Sequence, residues 1–167
     1  MITPEYCQTM AAYNRWQNNS LRGHIQALSE EALYAERGAF FGSIFKTANH
    51  LLWGDLLWIS RFDGGPDSGV EAKDHATLTA TKADWDLLRF KTDGRIVEWA
   101  LGLNAVDLVG NQTWYSGVKQ AEMSVSTSLC ITHFFNHQTH HRGQLHAMLT
   151  AAGRETMDTD LVFMPEN

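Results

Sequence analysis

The chain is sparing with several residue types, and each scarcity narrows its reading. Two cysteines, Cys7 and Cys130, in 167 residues leave no disulfide framework, and a chain this long needs none, so both read as reduced core thiols. No apolar run reaches the length of a membrane span, and the start Met1-Ile2-Thr3-Pro4-Glu5 lacks the basic and apolar stretches of a signal peptide. A cytoplasmic location is the resulting expectation, with no membrane partner. Positive charge is also short: 13 Lys and Arg stand against 19 Asp and Glu, for a net charge of -6. That balance lacks the electrostatic footprint of a nucleic-acid binder. There is no glycine-rich phosphate loop, no His-Glu-x-x-His motif and no tight carboxylate pair. Repeats, low-complexity tracts and linkers are missing as well, so residues 1–167 read as a single domain.

What the chain does have is apolar content, 44% of residues with 11% aromatic, enough for a sizeable core. Its periodicity predicts an all-α fold of four long helices. Thr3 and Pro4 mark a capped start, and Tyr6, Met10, Tyr13, Gln17, Leu21 and Leu28 carry the first helix to about residue 28. A loop through Arg37 and Gly38 follows. Ser43 can cap a second helix to about Phe62, which the run Asp63-Gly64-Gly65-Pro66-Asp67-Ser68-Gly69 ends. A third helix is expected from near Leu78 to about Gly102, with Trp85, Leu88, Ile96, Trp99 and Leu103 inward and a weak middle at Asp93-Gly94. Between Asp107 and Val125 the helical period is lost, and Trp114-Tyr115 with Val118, about Ser116-Gly117, can form a small hairpin crossing the bundle. Ser126 or Thr127 caps the last helix, which ends at Gly153.

Five of the eight histidines fall in that last helix, between His133 and His146. Helical stepping through Cys130, Phe134, His137, His141, Leu145, Met148 and Ala152 traces one inward stripe, which puts His137 and His141 one turn apart in the buried seam. His133 and His140 lie at its edge, and His146 points to the opposite side. Composition alone gives roughly 0.4 histidine pairs at this spacing; placement in the seam is what makes the pair informative. A buried imidazole needs a partner, because an unpaired polar group costs on the order of 1 to 3 kcal/mol. Two readings meet that need: a shared metal ion, or core histidines bonded to neighbouring side chains and carbonyls. The second helix offers a third imidazole, His50, with the small residues Thr47 and Gly54 beside it, and His133 is an alternative ligand one turn before His137. Three histidines with a fourth position open suit catalysis, since a cation there lowers the pKa of water or holds a thiol as thiolate. All-nitrogen ligation suits zinc or nickel, with iron, cobalt or copper also compatible.

Other residues carry softer readings. Tyr13, Asn14 and Gln17 face inward, to line a pocket or to satisfy one another. Asp55, about 140° around the helix from His50, reads as a partner for Arg142 or another cation rather than a ligand, and Gln144 as a bond to a ligand or to water. The six tryptophans read as core or as a dimer face.

The stretches Asn136-His137 with His141-Arg142-Gly143-Gln144, Asn49-His50-Leu51-Leu52-Trp53-Gly54-Asp55, Tyr13-Asn14-Arg15-Trp16 and Asp160-Leu161-Val162-Phe163-Met164 together resemble the DinB/YfiT-like family over essentially the whole chain. The most specific part is His137-x-x-x-His141-Arg142-Gly143-Gln144 with a distant His50. The resemblance implies a four-helix bundle of up-up-down-down connectivity, often a homodimer, with a divalent metal on His50, His137 and His141. It implies no contact with DNA. Relatives with assigned activities use low-molecular-weight thiols, which makes a thiol S-transferase or detoxification enzyme acting on a small-molecule substrate the leading expectation. The alternatives are a non-catalytic metal-binding stress-response protein and a metal-free helical dimer.

Overall fold

The computed structural model describes residues 2–117 and 119–166. Four long helices carry it: α1 (Pro4–Ala27), α3 (Ile44–Asp63), α4 (Lys82–Gly102) and α5 (Thr127–Ala151), with a five-residue helix, α2 (Glu30–Tyr34), after the first. Each long helix begins on a hydroxyl cap: Thr3, Ser43, Thr81 and Ser126 accept from the backbone N–H groups of Tyr6, Lys46, Asp84 and Leu129, satisfying donors that the helix itself cannot. At their far ends Gly64 (φ 70°) and Gly153 (φ 73°) stop α3 and α5 in the left-handed conformation. Helix α4 starts at Lys82, later than the expected Leu78, because Thr79 turns its hydroxyl and its N–H to the Asn49 side-chain oxygen and Thr81 takes the cap. The crossover before α5 is the expected hairpin: β1 (Asn111–Ser116) pairs antiparallel with β2 (Ala121–Ser126), Trp114 opposite Met123. Val118, assigned to that hairpin, lies outside the described residues.

Contacts along the helices give their directions. Arg22 meets Asp86 and Asn18 meets Asp93, so α1 and α4 run antiparallel. His50 meets His141, and Gly54 meets His137, so α3 and α5 do too. Trp85 bonds the Ala48 carbonyl, Arg89 pairs with Asp55 and Arg95 with Asp63, so α3 and α4 are parallel. The bundle is therefore up-down-down-up, which corrects the connectivity implied by the resemblance. The physical reason lies in residues 64–81. They run back along α3, held by the Trp53 indole donating to the Val70 carbonyl and by Asn49 at Thr79. An extended chain of that length more than spans a 20-residue helix, about 30 Å.

The core has two apolar clusters. One gathers Ile25, Ile44, Leu52, Trp85 and Leu145; the other gathers Cys7, Ile59, Ile96, Phe134 and Phe135. Between them along every long helix sits a polar layer. Asp55 on α3 accepts from Arg89 Nη1 at 2.5 Å and from Gln138 Nε2 of α5 at 3.0 Å. Arg89 Nη2 lies 2.8 Å from Asp93, which also accepts from Asn14 and Asn18 of α1. Asn14 in turn accepts from Arg142 of α5. Burial raises the Asp93 pKa while the Arg89 guanidinium and the Asn18 amide pull it down, and burial dominates. Both cysteines are free and buried, and burial pushes the Cys7 thiol up to about 11. Among the described residues no helix is long and apolar enough to cross a membrane.

Asp55→Ala strips the fully buried Arg89 of one of its two counter-ions, an uncompensated loss of the kind that costs about 3 to 5 kcal/mol. Removing the half-exposed partner of Arg95 by Asp63→Ala costs about 1 kcal/mol or less. Urea unfolding of the two variants should reproduce that order; equal losses would show that the polar layer does not hold the bundle.

Candidate metal centre

Antiparallel packing of α3 on α5 brings His50, His137 and His141 together, one ligand atom from each within 4.8 Å of the others. The convergence is sharper at Nε2. His50 Nε2 stands 3.2 Å from His141 Nε2 and 3.3 Å from His137 Nε2. Tetrahedral ligation at about 2.0 to 2.1 Å sets donor nitrogens roughly 3.3 Å apart, so the spacing fits one cation. The cluster also has the right charge state. Burial, then repulsion from the neighbouring imidazoles, pushes His50 and His137 down to about 3, and burial lowers His141. Neutral imidazole is the form that has a lone pair to give.

Neighbouring groups decide where that lone pair sits. The Gln144 amide oxygen lies 2.8 Å from His141 Nδ1; an oxygen of this kind only accepts, so Nδ1 carries the hydrogen and Nε2 is free to ligate. His50 Nδ1 lies 3.1 Å from His75 Nδ1, an arrangement that frees His50 Nε2 in the same way when His50 is the donor. The Phe41 ring covers His50 with centroids 4.1 Å apart. His137 is positioned by contact: a Cβ added to Gly54 would stand 2.7 Å from its Cε1. Only glycine lets α3 approach the imidazole this closely. His137 Nδ1 is buried without a hydrogen-bond partner among the described residues, while its Nε2 faces His50.

The other expectations resolve one by one. His133 is exposed and lies against Trp58, centroids 5.2 Å apart, outside the cluster. His146 faces away and bonds Thr156. Asp55 pairs with a cation, as expected of a non-ligand, and that cation is Arg89 rather than Arg142. Tyr13 and Gln17 donate to the carbonyls of Thr159 and Asp158, tying down the C-terminal segment. His75, Phe41 and Arg89 escaped the sequence reading. Phe41 sits in a turn and His75 in a short 3-10 helix, neither with an apolar period to place it, and Arg89 carries a charge in the middle of α4.

Two outcomes follow from this geometry. Unfolded chains bind protons at histidine near pH 6.5, while His50 and His137 in the folded, metal-free protein resist protonation down to about 3. The unfolded state therefore binds more protons across that window, and stability is lost as pH falls below about 6.5. Urea midpoints of metal-free protein should drop between pH 7.5 and pH 5, and the drop should shrink in His50→Ala. Gly54→Ala should cost roughly 1 to 3 kcal/mol through overpacking and weaken zinc binding in competition with a chromophoric chelator; unchanged zinc affinity would show that the close approach does not position His137.

Comparison with known proteins places the chain. The DinB family model matches residues 1–167. Protein DinB of Bacillus subtilis (strain 168) is 26% identical over 160 residues, covering 89% of this chain and 87% of that protein. The solved structure of YfiT from Bacillus subtilis, described as a "probable metal-dependent hydrolase with an unusual four-helix bundle topology", shares 15% identity, with a TM-score of 0.65 over 93% of this chain and 92% of that one. The shared bundle and the match over the full length of the chain make this protein a member of the DinB family.

Proposed function

We propose that the protein is a divalent-metal-dependent enzyme of small-molecule metabolism, with His50, His137 and His141 as the ligands and a fourth position open to substrate. The observation that carries this reading is the 3.2 and 3.3 Å spacing of the Nε2 atoms, reached in a setting that keeps the rings neutral. Nitrogen donors of this number suit zinc or nickel. When bound, such a cation supplies a Lewis acid to an oxygen or sulfur donor. The chain's own residues do the rest. Gln144 and His75 hold the His141 and His50 rings in orientation, Gly54 sets the position of His137, and Phe41 with Trp53 forms an aromatic wall beside His50.

Two reactions fit an open three-histidine centre. Hydrolysis is supported by the description of YfiT, and transfer to a low-molecular-weight thiol by the sequence resemblance to thiol-using relatives. The aromatic rings beside the centre suit an electrophile with an apolar body in either case. We further propose a cytoplasmic homodimer. Leu87, Phe90 and Leu101 are exposed on α4 at 55%, 60% and 65%, an apolar stripe that a second copy would cover.

Metal analysis of protein purified without a histidine tag should find one divalent ion per chain, lost in His50→Ala and in His137→Ala. Esters, amides and thiol-electrophile pairs then separate the reactions. The expected result is a fall in turnover of at least about 100-fold in His50→Ala with an unchanged helical circular dichroism spectrum, since ligand loss removes the catalyst. Wild-type protein that takes up no ion even from excess zinc or nickel would defeat the proposal.

A further inference from the structure

A cavity of about 230 Å³ opens on a different face of α5 from the histidine cluster, between α1, α5 and the segment 156–159. His50, His137 and His141 do not line it. Its volume falls near the lower end of small-molecule sites, about 300 Å³. Leu21, Leu145, Leu149 and Met157 make its apolar walls, and no Asp or Glu lines it among the described residues.

Arg142 lines this cavity and is only 8% exposed. Its Nη1 donates to Asn14, but its Nη2 has no hydrogen-bond partner among the described residues. The nearby carboxylates of Asp55 and Asp93 are bonded to Arg89 instead, and no ion pair to Arg142 forms among the described residues. The guanidinium rests over the Tyr13 ring, 5.3 Å from its centroid, which steadies it without supplying an acceptor. Asp55 and Asp93 lie close enough to favour the charged guanidinium, but they do not line the cavity. His24 and His146 line it, His146 Nε2 lies 3.3 Å from the Thr156 hydroxyl, and Arg154 is close enough to disfavour protonation of His24. A buried cation with a spare donor at the wall of an apolar cavity is costly unless an anion completes it.

We propose that this cavity binds a small monocarboxylate, its carboxylate accepting from Arg142 and its apolar body lying against Leu21, Leu145, Leu149 and Met157. A single carboxylate gives the spare Arg142 N–H a charge-assisted acceptor. A phosphate-like dianion would leave excess charge among aliphatic walls, and an uncharged ligand would leave the spare N–H unpaired. The site stands apart from the metal centre, so it holds whether or not the metal reading does.

Isothermal titration calorimetry of chelator-treated protein with butyrate, hexanoate and benzoate tests the proposal, with hexanamide as the uncharged counterpart of hexanoate. Saturable binding of at least one acid is expected, with hexanamide at least tenfold weaker than hexanoate if that acid binds. Arg142→Gln should weaken binding at least tenfold. Gly143→Leu provides a second variant. Gly143 lines the cavity, and an added Cβ there meets no atom within 4 Å, so the leucine can fill the space without a clash at Cβ and should abolish binding in a folded protein. The proposal is overturned if none of the three acids binds, if binding requires added zinc, if hexanoate binds and hexanamide binds as tightly, or if folded Arg142→Gln or folded Gly143→Leu binds as wild type does.

Discussion

The buried pairing of Arg89 with Asp55 and Asp93 is the constraint on which the rest of the bundle hangs. Apolar contacts alone tolerate helices that slide or rotate by a turn, because Leu against Leu is much the same one ridge along. Charges taken out of water are less forgiving, since each must find its own partner in a fixed direction. Here Asp55 ties α3 to α4 through Arg89 and to α5 through Gln138, while Asp93 ties α4 to α1 through Asn14 and Asn18. With apolar clusters above and below that layer, all four long helices share one register.

That register is what presents the imidazoles to one another. Asp55 lies five residues after His50 on α3, and Gln138 directly follows His137 on α5. Fixing the Asp55–Gln138 bond therefore brings Gly54 against His137 and His50 opposite His141. The cluster is built on rigid helices rather than loops, which is how a ligand set is held without the cost of ordering it on binding. Burial keeps the rings neutral, and Gln144 fixes one tautomer in advance. Scaffold and histidine cluster are therefore joined through a single bond between residues beside His50 and His137.

Much of this was legible in the residues. The inward stripe of α5 holds through Cys130, Phe134, His141, Leu145 and Met148, all buried, because a 3.6-residue period on a 25-residue helix leaves little freedom. Hydroxyl caps at Thr3, Ser43 and Ser126 were readable for the same local reason. His50 could be paired with His137 and His141 only because so few histidines lie on inward faces, and the small Gly54 beside it was a real signal of close approach. What depended on tertiary structure was not legible. The direction of α4 is set by a return path through residues 64–81 that carries no periodic pattern, and His75 reaches His50 only because that path doubles back. Arg89 and Asp93 find their partners on the other helices only once those helices are in place.

The separation of the histidines along the chain has one more effect. His50 and His137 are 87 residues apart, so a cation gripping both would act as a reversible crosslink around a long loop. Closing such a loop removes far more disorder from an unfolded chain than from a folded one. Ligation by these histidines would thus also form a clasp between the two halves of the sequence, its strength set by the free metal concentration around the protein.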